Sequence, residues 1–175
     1  MSISTFRARP GFETHKLRFM SRQLLSGLIG AAVLYGQSLQ VPTSTTDGKT
    51  PGSFSMFMDS PEGKAPVALQ WEMSVPPVVA IAASDVKTSQ AAESVGKAVT
   101  CAAGANTTAG GARYTCILAG GKGPITNGPI VLVSYRVQGD VHGAPIRVAI
   151  ENIMGVYADL KSVKIDDTAA IIKVQ

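Results

Sequence analysis

Residues 68–75 read ALQWEMSV, and this stretch decides the fold class. Leu69, Trp71, Met73 and Val75 share one parity, while Gln70, Glu72 and Ser74 share the other. Successive side chains of a β-strand point to opposite faces, so this alternation predicts a half-buried strand lying on a core. By phase, Trp71, the single tryptophan, belongs to that core. Outward from here the β signal recurs. SFSMFM at 53–58 begins by alternating, 78–83 is an apolar run, and IVLVSYRV at 130–137 is β-branched and aromatic throughout. Residues 144–153, 162–165 and 169–174 continue the pattern, with Gly or Pro clusters at 120–124, 127–129 and 143–145. Ser84–Lys97 (SDVKTSQAAESVGK) has Ser84 as an N-cap and Gly96 as a stop, but its thin apolar content predicts loop or a short helical turn. Many short strands with Gly/Pro turns and no internal repeat predict an all-β sandwich.

Residues 24–35 (LLSGLIGAAVLY) form an uncharged, mostly apolar run. Arg7, Arg9, Lys16, Arg18 and Arg22 precede it, and Gly36-Gln37-Ser38 follows. A basic segment, a short apolar core and a small-x-small step define a secretory signal peptide over residues 1–38, with Met20 as an alternative start. A bilayer span takes about 20 apolar residues, so the run is too short for a transmembrane helix and none is expected after signal removal. LQVPTSTTDGKTPG at 39–52 reads as a linker, leaving residues 53–175 for the sandwich. The expected location is secreted, periplasmic or on the cell surface.

Removing residues 1–38 takes away five of sixteen basic residues and one of twelve acidic ones, so the exported part is balanced at eleven against eleven. The formal net charge of +4 belongs to the signal. With no basic stripe and no interleaving of Arg with aromatics, no nucleic-acid partner is expected. Cys101 and Cys116 both lie in the exported part. An even count in an oxidising compartment fits one bridge, with two buried free thiols as the alternative. The flanks 98–101 and 114–118 lean to β and enclose AAGANTTAGGAR, so antiparallel pairing would bring the two cysteines together.

Sites of chemistry are hard to build from this sequence. A serine nucleophile needs a base, and His142, in GDVHGAP, is the sole histidine of the exported part. A metal site would need further ligands beside the Cys pair, and no calcium loop is present. Gly120–Gly123 (GGKG) lacks the Ser/Thr and the upstream spacing of a phosphate loop and predicts a turn. Asp166-Asp167 reads as solvated caps. No enzyme, cofactor or metal is expected. Tyr114, Tyr135 and Tyr157 would serve a sugar only if they formed a planar row.

Three stretches carry a family resemblance. PGSFSMFM with VALQWEMSVPP looks like the opening strand pair of the cohesin domains. ITNGPIVLVSYRV at 125–137 is similar to that family's turn and long apolar strand. Residues 150–174 resemble its asparagine-containing late strand and closing strand. The Cys pair departs from ordinary cohesins and is similar to cohesin-like domains of exported bacterial proteins. The resemblance implies a non-catalytic binding module, a jelly-roll β-sandwich of about nine strands. Its partner would be a dockerin, or polysaccharide as in relatives with the same sandwich; a structural surface protein that binds neither is the remaining alternative. Carried over by position, the implied binding residues are Gln70, Glu72, Thr126 and Asn127.

Overall fold

The computed structural model describes residues 36–107, 109–141 and 143–175. Of the expected signal segment, with its alternative start at Met20, only the last three residues fall among these; the rest lies outside the described residues. His142 lies outside them too.

The described residues open with two short strands, β1 (Ser38–Gln40) and β2 (Ser44–Thr46), before β3 (Gly52–Asp59) and β4 (Ala68–Val75). Then come β5 (Val79–Ala80), β6 (Val86–Thr88), a short helix α1 (Gln90–Ser94), β7 (Ala98–Ala103) and β8 (Ala112–Ala119). The series closes with β9 (Gly128–Val137), β10 (Ile146–Val156), β11 (Ser162–Lys164) and β12 (Thr168–Val174). A five-stranded sheet runs β1-β3-β9-β5, with β6 also on β9. A seven-stranded sheet runs β2-β12-β10-β4-β8-β7, with β11 also on β10. Pairing is antiparallel except between β2 and β12. This is the expected jelly-roll sandwich. The strand count exceeds nine because, of the twelve strands among the described residues, five are pieces of two or three residues.

The core lies between the sheets and is built by parity. Leu69, Trp71, Met73 and Val75 of β4 all face inward, and Trp71 is 0% exposed, as its phase predicted. Against them pack Phe54, Met56 and Met58 of β3, Val133 and Tyr135 of β9, and Ile150 and Ile153 of β10. The indole Nε1 of Trp71 has no hydrogen-bond partner among the described residues.

Two bulges interrupt the alternation. In β9 the pairing with β3 shifts by one residue beyond Met56, and both Ile130 and Val131 are buried there. Ser89 closes this bulge: its N–H donates to Ile130 O at 3.0 Å and its hydroxyl donates to Pro129 O at 2.5 Å. In β10 the register against β4 shifts between Glu151 and Met154. Asn152 sits there at φ 53°, a left-handed conformation that Asn tolerates. Its N–H donates to Asp167 Oδ1 at 2.8 Å, so Asp167 is indeed a cap. Each extra residue reverses which side chains face the core beyond it.

Two expectations are corrected. The stretch read as a linker, 39–52, includes most of β1 and all of β2, and Leu39 and Thr46 are buried. Three-residue strands are too short to show a period, and β2 forms only because β12 returns beside it. The helix N-cap is Ser89, not Ser84: Ser89 Oγ accepts from Ala92 N at 3.2 Å. Residues 83–85 form a single 3₁₀ turn instead. Gly96 does end the helix, at φ 78°.

Candidate functional site: the outer face of the seven-stranded sheet

The parity that buries Trp71 turns Gln70, Glu72 and Ser74 outward on β4, which lies between β10 and β8. Register builds rows across this face. Gln70 stands between Met154 and Ile117, with Thr100 of β7 beyond. Glu72 stands between Glu151 and Thr115, and Ser74 between Ala149 and Arg113. Ile117 is 45% exposed, one of three large apolar side chains so exposed among the described residues. Ala98, Ala119, Ala68 and Val156 form the neighbouring row. The face thus has an end of small and apolar side chains and a polar end. At the polar end Arg113 Nη1 lies 3.9 Å from Glu72 Oε2, an exposed pair that contributes little to folding.

The disulfide holds this face in register. Cys101 and Cys116 are directly paired on β7 and β8 and are bonded, which removes the free-thiol alternative. The bridge points inward, where Cys116 is fully buried.

Of the four implied binding residues, the structure brings two together. Gln70 and Glu72 are two residues apart on the outward side of β4. Thr126 and Asn127 lie in the loop that enters β9, in the other sheet, and are not brought onto this face. Asn127 clamps the chain just past β3: Oδ1 accepts from Ser60 N and Nδ2 donates to Ser60 O, each at 2.9 Å. Sequence reasoning missed Ile117, Glu151 and Arg113. The clue to Ile117 was present, because an inward Cys116 forces its neighbour outward, but the run Cys-Ile-Leu reads as uniformly apolar.

A planar row of aromatics does not form. Trp71, Tyr114 and Tyr135 are buried, and both tyrosine hydroxyls are engaged, Tyr114 with Ile81 O at 2.6 Å and Tyr135 with Ser44 Oγ at 2.7 Å. Tyr157, half-buried, meets the side-chain amide of Gln37. Among the described residues, no three His, Cys, Asp or Glu side chains converge as metal ligands, and no helix is long and apolar enough to cross a membrane.

No protein-family model matches the sequence, and no curated protein matches it. Solved structures do. The sixth cohesin of scaffoldin B from Acetivibrio cellulolyticus, solved in complex with a dockerin, is similar at a TM-score of 0.64 and 11% identity, over 81% of this chain and 100% of that one. A non-cellulosomal cohesin from the hyperthermophilic archaeon Archaeoglobus fulgidus gives 0.56 at 13% identity, over 79% and 91%. The cohesin module of a Clostridium perfringens family 33 glycoside hydrolase gives 0.54 at 7% identity, over 80% and 97%. At such identities the likeness is one of fold, and the fold of this chain is that of the cohesin modules.

Proposed function

We propose that this protein is an exported, non-catalytic binding module that docks a dockerin-type domain on the outer face of its seven-stranded sheet. The observation that carries the reading is the exposed Ile117 beside Gln70 and Glu72 on the outer face of the seven-stranded sheet of a cohesin fold. Several solved cohesins of that fold are in complex with dockerins, which supports a partner of this kind. A folded partner needs a broad face and not a pocket. Standard interfaces bury about 1,600 Å² and concentrate their energy in a few central, desolvated residues. Ile117 is placed to be such a centre, with Gln70 and Glu72 supplying polar contacts around it.

Export gives the disulfide an oxidising compartment. Cleavage after Ser38 would start the mature chain at Leu39, whose buried side chain keeps β1 anchored. N-terminal sequencing of exported material should find Leu39 first, and an intact segment 1–38 on that material would refute the processing.

Calorimetry against dockerin-type domains encoded in the same genome tests the docking. Ile117→Arg should abolish binding, and the Gln70→Ala, Glu72→Ala pair should weaken it about tenfold or more, while the melting curve stays in place. If no such domain binds and the protein is retained on insoluble polysaccharide, the docking reading fails and the sugar-binding one replaces it.

A further inference from the structure

Lys97 stands at the corner between α1 and β7 and is only 3% exposed. Its Nζ donates to three backbone carbonyls: Val67 O at 2.9 Å, Gly120 O at 2.6 Å and Gly123 O at 2.6 Å. An ammonium has three donors and no acceptor, so all of its hydrogen-bonding capacity is spent here. Charged groups occur on every segment packed around it: Glu62 and Lys64 before β4, Glu93 on α1 and Lys122 in the turn after β8. None of them forms an ion pair with Lys97 among the described residues. Burial pushes the pKa of this ammonium below its ordinary 10.5, and the charge is held against that penalty by carbonyl dipoles alone.

The turn Gly120–Gly123 is shaped for this contact. Gly120 and Gly121 have φ of 106° and 61°. A Cβ on Gly120 would lie 2.7 Å from Gly96 O, and one on Gly121 would lie 2.3 Å from Val95 O. Glycine therefore lets the turn pack backbone against backbone on the α1–β7 corner. In a phosphate loop the N–H groups converge on an anion. Here the polarity is opposite: two carbonyls of the turn and one from the residue before β4 converge on a positive charge.

We propose that the carbonyls of Val67, Gly120 and Gly123 form a binding site for a primary ammonium ion, of which the Lys97 side chain is the resident ligand. Truncating the side chain vacates the site and leaves a channel where its methylenes lay. n-Propylammonium matches the atoms from Cγ to Nζ that Lys97→Ala removes, so it is the ligand that fits both the channel and the cage. Binding to the folded state alone raises the melting midpoint with ligand concentration.

Thermal unfolding of the full chain tests this with Lys97→Ala and Lys97→Met, each with and without n-propylammonium or tetramethylammonium. Lys97→Ala should lower the midpoint by on the order of 10 °C, because three partly buried carbonyls lose their shared donor at once. Millimolar n-propylammonium should recover at least half of that loss, and tetramethylammonium, which has no N–H, should recover none. Lys97→Met fills the channel without a donor and should be as destabilised and not recovered. A Lys97→Met protein as stable as the native one overturns the proposal, and so does equal recovery by both ions. Should Lys97→Ala not fold unaided, refolding yield replaces the midpoint: a rise with n-propylammonium alone supports the site, and no rise overturns it.

Discussion

The inward and outward faces of β10, β4 and β8 are made by the same three strands and do opposite work. Inward, Trp71, Cys116 and Ile150 are sealed from water and hold the two sheets together. Outward, Gln70, Thr115 and Ile117 lie one residue away in sequence and stand on the opposite side of the ladder, where Gln70 and Ile117 are exposed. Stability and, on the proposed function, recognition would therefore be divided by parity and not by position along the chain. Two devices set that division: the disulfide pins β7 to β8, and the capped bulge at Asn152 switches the phase of β10 where its register against β4 shifts.

The comparison can be broken most directly from inside. Trp71→Ala should cost about 3–5 kcal/mol of stability, the usual loss for a fully buried aromatic. Chemical denaturation reads this, and a cost near zero would mean the faces have been assigned backwards. Next comes the pin between β7 and β8. Replacing Cys101 and Cys116 together by Ala should cost about 3 kcal/mol, because the bridge closes a loop with a sequence separation of 15. Loss of binding in that variant without loss of stability would show the bridge serving the outer face alone.

Smaller effects sharpen the boundary. Asp167→Ala leaves the Asn152 N–H without its acceptor and should cost about 1 kcal/mol. Hydrogen exchange should then accelerate around residues 151–154 first, and uniform acceleration through β10 would argue against a local cap. Ile117→Thr, alone or with Gln70→Ala and Glu72→Ala, should move stability by no more than about 0.5 kcal/mol. A larger loss would make the outer face structural. Asp47, on the loop after β2, supplies the smallest effect. Hydrogen bonds from Thr50 N, then Lys49 N and the Thr50 hydroxyl, hold its pKa below the ordinary 3.8. A depressed carboxyl contributes stability above its unfolded pKa and loses it as pH falls through the folded value. The small destabilisation by Asp47→Asn should accordingly be present at neutral pH and vanish well below pH 3.8, and a difference that persists in acid would rule out the charge as its source.

Much of this was legible beforehand. Alternation in ALQWEMSV placed Trp71 inside and Gln70 and Glu72 outside, because a strand's period is two and water selects one side. Even cysteines flanking a Gly-rich loop foretold the hairpin bridge. The misreadings share one cause. β1 and β2 are too short to carry a period, Ser89 caps a helix whose start is set by its bond to the β9 bulge, and Asn127 spends its amide on Ser60, far away in sequence. In each case the partner that decides the local conformation comes from another part of the chain.

By itself, the sequence determined the all-β fold class and the buried side of β4, since both follow from local periodicity, and the even count of cysteines made a bridge the favoured expectation. Only the tertiary structure decided which outward side chains stand in one row, that Ile117 is uncovered among them, and that Lys97 is caged by three carbonyls. Those depend on register between strands distant in sequence and on close backbone approach at glycines, and no period within a single strand encodes either.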